Sequence, residues 1–111
     1  MKKIVVIKRS SIYVISPDDI FYMEKDLRKI RIHTSAACIE FYGTFSDMMP
    51  WLDMRFMSCH RSYIINMDKI AIMAYNTIFF ENDDCIYLGR DTYRKARKIF
   101  CEYITKKFGQ Y

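Results

Sequence analysis

Cys59-His60-Arg61-Ser62-Tyr63-Ile64-Ile65-Asn66 is the stretch around which the rest of the chain can be interpreted. In it a polar, cationic corner is followed at once by an apolar run of strand-forming residues. Arg61 keeps its charge in a protein and presents a planar fork of donors that fits an anion or the edge of a guanine. The stretch also fits a structural role, in which His60 and Arg61 pair with a neighbouring carboxylate at a strand end. The octapeptide alone leaves both interpretations open.

Length and composition indicate one folded domain. A chain of 111 residues supports a single hydrophobic core, and 51% apolar residues with only three glycines and two prolines is far from the composition of disordered proteins. No apolar run approaches the length of about 20 residues that spans a bilayer, and the first residues do not look like a signal peptide. We therefore expect a soluble, cytoplasmic protein that has no membrane partner.

The four cysteines are spread along the chain without a Cys-x-x-Cys pair, at Cys38, Cys59, Cys85 and Cys101. This spacing argues against a zinc ribbon or a thioredoxin-type site, and we expect no metal. We expect free, buried thiols, as in most cytosolic proteins. Cys59 and Cys85 each lie near the end of a predicted strand and just before a cationic site, so they form a candidate redox pair if those strands are neighbours.

Basic residues are concentrated at the C-terminal end. From Gly89 to Tyr111 there are seven Lys/Arg and two acids, whereas the preceding 88 residues carry 11 of each sign. Such a basic end is typical of a surface that binds a polyanion, although a solvated helix face gives the same count.

The first half of the chain predicts short strands joined by turns. Lys3 to Lys8 and Ser11 to Ile15 form a hairpin, and Ser16 to Asp19 form one turn of helix. The next predicted strands are 20–24, 29–33 and 38–42, and residues 25–28 form the loop between the first two. In the second of these strands Ile30 and Ile32 point inward, and we expect His33 at the exposed end.

The second half begins with a short helix. Thr44 caps it, its apolar stripe has helical spacing, and Pro50 should shorten it. Five short strands follow at 56–59, 63–65, 70–75, 78–81 and 86–88, with turns at 76–77 and 82–84. A C-terminal helix follows, with Asp91 as its cap and Gly109 just past its end.

The basic residues of the last helix fall on the exposed sides of its first two turns. Arg94 and Lys95 are among them, and Arg90 precedes them in a loop. Cations at a helix N-terminus oppose the macrodipole, so their position favours an external anion. The chain has two histidines, no Gly-x-Ser-x-Gly and no glycine-rich phosphate loop, so we expect neither an enzyme nor a cofactor.

The run from Arg55 to Asn66, with His60-Arg61-Ser62 at its centre, resembles the signature of LytTR-type DNA-binding domains, the output modules of many bacterial response regulators. The order of Ile20 to Glu24, Ile39 to Gly43, Asp68 to Ile70 and Leu88 to Lys95 is also similar to that family. The resemblance covers nearly the whole chain and is strongest to agr-type quorum-sensing regulators of two-component systems.

This resemblance implies a mainly β, elongated fold of about ten short strands in three sheets, with a short middle helix and a C-terminal helix, as one domain over residues 1–111. It also implies DNA contacts from three loops. His33 and Arg90 would enter successive major grooves, and Arg61 would face the segment between. His60, Ser62, Arg94 and Lys95 are candidate backbone contacts, and Arg28 and Lys29 complete the predicted DNA-binding set.

Three positions depart from the family pattern. Gly89 replaces the usual serine before Arg90, the loop at 25–28 is short, and relatives tend to carry asparagine where Arg61 stands. No receiver domain precedes residue 1, so we expect either an excised output domain or a free-standing protein.

The predicted function is sequence-specific binding of double-stranded promoter DNA as a pair on direct repeats, with bending of the duplex. The alternative is a β-rich protein-interaction or single-strand-binding module that uses Tyr22, Tyr42, Tyr75 and Tyr87 as a platform. We expect most of these rings to lie in the core.

Overall fold

Ten strands in three antiparallel sheets make up most of the computed structural model, which describes residues 2–111. The strands are β1 (Ile4–Ile7), β2 (Ile12–Ile15), β3 (Ile20–Asp26), β4 (Lys29–Thr34), β5 (Cys38–Tyr42), β6 (Phe56–His60), β7 (Tyr63–Asn66), β8 (Ile70–Ala74), β9 (Thr77–Phe80) and β10 (Cys85–Tyr87). The helices are α1 (Phe45–Met48) and α2 (Arg90–Lys107), with 3-10 turns at Pro17–Asp19, Met49–Trp51 and Met67–Lys69. The molecule measures 48 × 29 × 25 Å. The predicted mainly β, elongated fold is confirmed.

The central sheet has the strand order β5-β4-β3-β7-β6 and is covered on both faces. Successive side chains of a strand point to opposite faces. Met23 and Ile64 point to the face on which Ile4 of the β1–β2 hairpin packs. Tyr22 and Ile65 point to the other face, where they join the core under the sheet β10-β9-β8. The hairpin and the three-stranded sheet are therefore the outer layers of a three-layer molecule.

Asn66 at the end of β7 connects the central sheet to the outer three-stranded sheet. Its side chain is fully buried. Its Nδ2 donates to the carbonyl of Ile20 at 2.7 Å, and its Oδ1 accepts from the N–H of Asp68 at 3.0 Å. Because a buried amide without partners is costly, these two bonds define where β7 ends and the 3-10 turn before β8 begins.

The middle helix is short, as predicted. Thr44 caps α1 by accepting a hydrogen bond from the N–H of Asp47 at 3.2 Å. The chain then changes to a 3-10 turn that contains Pro50, whose ring cannot continue an α-helix.

The helix cap predicted at Asp91 is wrong. The cap lies two residues earlier, at Gly89, which makes no side-chain hydrogen bond, and the helix begins at Arg90. The N–H of Leu88 is held by the carbonyl of Asn76 at 2.8 Å, so the chain enters the helix directly from the end of β10. Arg90 is therefore the first helical residue, not a loop residue, while Gly109 does lie just past the end at Lys107.

Within residues 2–111, the helices all lack the combination of length and apolar character that crossing a bilayer requires.

Two predicted turns are shifted or too long. The β8–β9 turn consists of Tyr75 and Asn76, both with positive φ (54° and 58°), instead of residues 76–77. The β3–β4 turn consists of Leu27 and Arg28 alone, because Asp26 pairs with Lys29 and the strands continue further than expected.

Candidate nucleic-acid interface

The turn between β6 and β7 presents Arg61 and Ser62 at one end of the central sheet. His60 and Tyr63 face each other across this turn, with ring centroids 5.6 Å apart. The N–H of Ser62 donates to Nδ1 of His60 at 3.0 Å, so the imidazole is bound to the backbone of its own turn. Arg61 is exposed, and the salt bridges among residues 2–111 do not include it. The carboxylate pairing considered for Arg61 is therefore not observed in this part of the chain.

The β3–β4 turn lies beside the β6–β7 turn. The N–H of Lys25, near the end of β3, donates to the carbonyl of Ser62 at 2.8 Å. Leu27 adopts a left-handed conformation (φ 57°), and the next residue, Arg28, is exposed. The carbonyl of Arg28 accepts a hydrogen bond from the N–H of Gly43 at 3.0 Å, which fixes the turn from its other side. Arg28 and Arg61 therefore belong to the same end of the molecule.

Helix α2 points its N-terminus toward that same end. Its C-terminal half is attached at the opposite end, where Tyr103 Oη and Lys107 Nζ contact Asp68 Oδ1 at 2.7 and 2.9 Å. The helix packs along β6, and its 18 residues span about 27 Å, whereas the five residues of β6 span about 17 Å. Arg90 therefore reaches the region of the β6–β7 turn. We call this region, formed by residues 27–28, 61–62 and 89–90, the turn end.

Arg90 and the first turns of α2 carry exposed cations. The Arg90 side chain is 77% exposed, and its nearest carboxylate, Asp91 Oδ1, is 3.9 Å from Nε. Arg94 and Lys95 are exposed, whereas Ala96 is buried against the core. The predicted exposure of these basic residues is confirmed, and the turn end is positively charged.

His33 is not at an exposed strand end. Its side chain is only 18% exposed, and Nε2 lies 2.8 Å from Oε1 of Glu24. The ring stacks on Tyr22 with centroids 4.2 Å apart. His33 is the fifth residue of a strand that leads away from the β3–β4 turn, so its position is remote from Arg28. The expected exposure of His33 is wrong, because the strand face to which it points is filled by cross-strand partners.

Lys29 is also bound within the sheet. Its Nζ lies 3.0 Å from Glu40 Oε1 and 5.7 Å from the centre of the Tyr42 ring. The hydrogen bond to Glu40 raises the pKa of Lys29. Arg31 Nε binds the same carboxylate at 3.1 Å. Lys29 and Arg31 thus stabilise the pairing of β4 and β5, and the charge of Lys29 is partly neutralised.

The four tyrosines considered as a stacking platform do not lie together. Tyr22 is buried, and its hydroxyl donates to Asp84 at 3.2 Å. Burial and the Asp84 carboxylate raise the pKa of Tyr22 well above its usual value. Tyr42, Tyr75 and Tyr87 are exposed, so the expectation that most of these rings lie in the core is wrong. They belong to two different sheets, which argues against a single platform.

The cysteines are free thiols, but they are not all buried as expected. Cys38, Cys85 and Cys101 are exposed, and Cys59 is half-buried against the core. Burial raises the pKa of the Cys59 thiol to about 11. Cys59 lies in the central sheet and Cys85 in the outer three-stranded sheet, so the two strands are not hydrogen-bonded neighbours. A redox role for this pair stays a prediction.

The chain matches known proteins over most of its length. The profile of the LytTr DNA-binding domain matches residues 10–100. Accessory gene regulator protein A of Staphylococcus aureus (strain N315) is 31% identical over 94 residues, which is 81% of this chain, and that of Staphylococcus epidermidis is 33% identical over the same length. The chain spans 37% of the length of these relatives.

A solved structure has the same fold. It is the LytTr DNA-binding domain of a protein described as a methyl-accepting/DNA response regulator from Bacillus cereus, with a TM-score of 0.74 and 15% identity, and the match covers 89% of this chain and 96% of that one. Together with the profile match over most of the chain, these similarities place it in a family: the chain belongs to the LytTr DNA-binding domains.

Proposed function

We propose that the chain is a sequence-specific double-stranded DNA-binding module of a transcriptional regulator, and that it reads DNA with the turn end. The observation that supports this most directly is the convergence of three exposed arginines, Arg28, Arg61 and Arg90, from three separate elements. Membership of the LytTr family and the names of the relatives, which describe gene regulators, agree with this proposal.

In this proposal base reading is done by arginines on loops and at a helix start. An arginine fork donates two hydrogen bonds to O6 and N7 of guanine, which is the most common specific contact in the major groove. Arg28 and Arg90 enter neighbouring major grooves, and Arg61 contacts the segment between them. His33 was predicted for the first of these roles, but its bonds to Glu24 and Tyr22 favour Arg28 instead.

Contacts to the DNA backbone come from the residues around these arginines. Arg94 and Lys95 on the exposed side of α2 neutralise phosphates, and Ser62 offers a hydroxyl beside Arg61. His60 positions the turn, since its Nδ1 accepts the Ser62 N–H. Lys29 contributes less than predicted, because Glu40 competes with phosphate for its ammonium group.

The regulator acts in the bacterial cytoplasm as a pair of copies on direct promoter repeats, either as the output domain of a two-component response regulator or as a free-standing protein. This part of the proposal rests on the likeness to longer relatives, of which the chain spans 37%.

The first experiment is selection of bound sites from random duplex DNA in the presence of single-stranded competitor. We expect enrichment of a duplex motif with guanines spaced about one helical turn apart. Equal or preferred recovery of the single-stranded competitor would support the single-strand-binding alternative and contradict the proposal.

The second experiment compares single substitutions on the selected duplex. Arg28→Ala and Arg90→Ala should each cost about 1–3 kcal/mol and relax preference at one base position. Lys95→Ala should weaken binding evenly across sequences and reduce the salt slope by about one. Lys106→Ala is the control, because this exposed lysine lies on the last turn of α2, at the opposite end of the helix.

His33→Ala decides whether His33 or Arg28 enters the major groove next to the one that Arg90 enters. We expect its affinity for the selected duplex to remain within about threefold of the unsubstituted protein, because only 18% of the side chain is exposed. A loss of specificity at one base position, with unchanged circular dichroism, would return the reading role from Arg28 to His33.

A further inference from the structure

The outer face of the β1–β2 hairpin is apolar and exposed. Its cross-strand pairs Val5–Val14 and Ile7–Ile12 point away from the central sheet, while Ile4, Val6 and Ile15 point toward it. These four outward side chains are between 54% and 75% exposed. They form one continuous patch, because directly paired residues and alternate residues of a strand lie on the same face.

The hairpin patch is bordered mainly by positive charge. Lys3 immediately precedes β1 and Arg9 lies in the β1–β2 turn, one at each end of the outward row, and both are exposed. Residues 2–16 contain four Lys/Arg and no carboxylate. The nearest acids along the chain lie in the following 3-10 turn, where Asp18 is paired with Arg55. Asp19 of the same turn is exposed and lies beside Val14, so it is the one carboxylate described at the edge of the patch.

A second exposed apolar face lies on the opposite side of the molecule. On the outer side of the three-stranded sheet, Ile72 pairs with Phe79, and Tyr87 pairs with Thr77. Ile72 and Tyr87 are 58% and 73% exposed, whereas Ile78 and Ile86 point into the core. This face is therefore the outside of the third layer.

The border of the second face is acidic. Glu81 continues the outward alternation of Thr77 and Phe79, and Asp83 lies at the tip of the adjacent turn. Both are exposed, and the salt bridges among residues 2–111 do not include them. The nearby Lys69 directs its ammonium group to the ring of Phe21, 5.3 Å from its centre.

We propose that the hairpin face of one copy packs on the outer face of the three-stranded sheet of a second copy. Apolar side chains meet in the centre, and the cations of one border oppose the carboxylates of the other. Stacking of two hairpin faces would instead bring Lys3 and Arg9 against the same residues of the second copy. Because the two faces lie on opposite layers, one copy uses both at once, and the contact is heterologous and continues head to tail.

The contact is weak in free solution. Four to five side chains on each side bury less than the roughly 800 Å² per partner of a standard interface, so association belongs to the transient class. Two copies bound to neighbouring DNA sites have an effective concentration of about 1 mM, which makes the same contact significant there. This last step rests on the proposed function, whereas the contact itself does not.

The test is sedimentation velocity of the chain without DNA, from about 10 µM to 1 mM. The double variant Lys3→Glu/Arg9→Glu and the double variant Glu81→Lys/Asp83→Asn should each raise the dissociation constant at least tenfold. An equimolar mixture of the two variants should regain association, because the reversed hairpin of one then faces the reversed sheet border of the other.

The apolar part of the contact is tested with Ile7→Ser, which should also weaken association at least tenfold. Met54→Ser is the control, since Met54 is 85% exposed and belongs to neither face. All substituted side chains are exposed, and an unchanged melting temperature checks the fold of each variant.

Three outcomes would overturn the proposal. The unsubstituted chain could remain monomeric at 1 mM. Tighter association of Lys3→Glu/Arg9→Glu with the unsubstituted chain than of the unsubstituted chain with itself would indicate contact between two hairpins. Binding of a monomeric chain to anionic phosphatidylglycerol vesicles, lost in Lys3→Glu/Arg9→Glu, would assign the hairpin face to a membrane surface. The affinity for a single DNA site is measured in parallel. If the proposed function holds, this affinity stays unchanged whichever of the three outcomes is found, so failure of the contact between copies is distinguished from failure of the proposed function.

Discussion

Asn66→Ala tests how much the buried asparagine at the end of β7 stabilises the start of β3 and the 3-10 turn that precedes β8. The substitution removes the donor to the Ile20 carbonyl and the acceptor for the Asp68 N–H. It adds no bulk and no charge, so its effect reports the loss of these two bonds and of the packing of the amide group. Asn66 is fully buried, and water cannot replace its bond to the Ile20 carbonyl without opening the structure.

The magnitude follows from the two groups left without partners. A buried donor or acceptor whose partner is removed costs about 1–3 kcal/mol. The Ile20 carbonyl is buried and the Asp68 N–H is partly buried, so we expect a combined loss of about 2–3 kcal/mol. A domain of this size has a total stability of about 5–15 kcal/mol, and the urea midpoint should fall by about 1–2 M.

Asn82→Ala is a matched control. Asn82 makes the same type of turn, since its Oδ1 accepts from the N–H of Asp84 at 3.0 Å, but it is only half-buried. Solvent can replace this bond, and we expect a loss below about 1 kcal/mol. Urea unfolding followed by circular dichroism measures both variants. If Asn66→Ala and Asn82→Ala lose the same free energy within about 0.5 kcal/mol, burial does not set the energetic role of Asn66 and our reasoning is wrong.

Three further predictions concern α2, Cys59 and the DNA backbone contacts. Partial burial opposes ionisation of Asp68, but the hydrogen bonds from Lys107 and Tyr103 prevail and lower its pKa. The stabilising contribution of Asp68 is therefore present at neutral pH and is lost as the pH falls through about 4 and below. Asp68→Asn should reduce the urea midpoint at pH 7 and make the midpoint less sensitive to acid than that of the unsubstituted protein, and equal acid sensitivity would contradict this. Because burial raises the pKa of Cys59 to about 11, Cys59 should be the slowest of the four thiols to react with iodoacetamide at pH 8. Its alkylation rate should rise about tenfold per pH unit up to pH 10, as measured by mass spectrometry of peptides. Rapid alkylation of Cys59 at pH 8 would refute this prediction. Lys95→Ala should flatten the salt dependence of DNA binding by about one phosphate, and an unchanged slope would show that Lys95 makes no phosphate contact.

The alternation of apolar residues was sufficient to predict the strands of the central sheet. Ile30 and Ile32 are both fully buried, as the pattern indicated. The extent of the β3–β4 pairing was missed, although the sequence contained a signal for it. Glu24 and Asp26 alternate on β3, and they face Arg31 and Lys29 across the pair, which fixes a two-residue turn. Charge complementarity between neighbouring strands would have identified this register.

The exposure of His33 could not be predicted from β4 alone. Alternation correctly placed it on the face opposite Ile32, but an outward side chain is exposed only if its neighbours leave it uncovered. Tyr22 and Glu24 cover it from β3, and both neighbours depend on the pairing of two strands. Arg28 at the tip of a turn has no such neighbours, and the shorter turn makes it the better candidate for DNA.

The layers of the molecule were also beyond local sequence patterns. The ten strands were predicted, but alternation does not specify which of them form one sheet or which face meets which. The sequence of β1 resembles that of any half-buried strand. Only the structure shows that its outer face, with Val5 and Ile7, is uncovered although it is as apolar as the inner face. The prediction of buried thiols failed for the same reason, since Cys85 begins a strand whose outer face has no covering layer.

The position of α2 connects its stability to its function. Its C-terminal end is attached through Asp68, and its N-terminal end carries Arg90, Arg94 and Lys95 with one compensating acid, Asp91, in the first turn. Each cation at a helix N-terminus costs a few tenths of a kcal/mol through the macrodipole, so the free helix is destabilised where it meets the turn end. A bound phosphate reverses the sign, because it neutralises the cations and interacts favourably with the same dipole. In the proposed complex, the residues that weaken the free helix are therefore the same residues that stabilise the bound state.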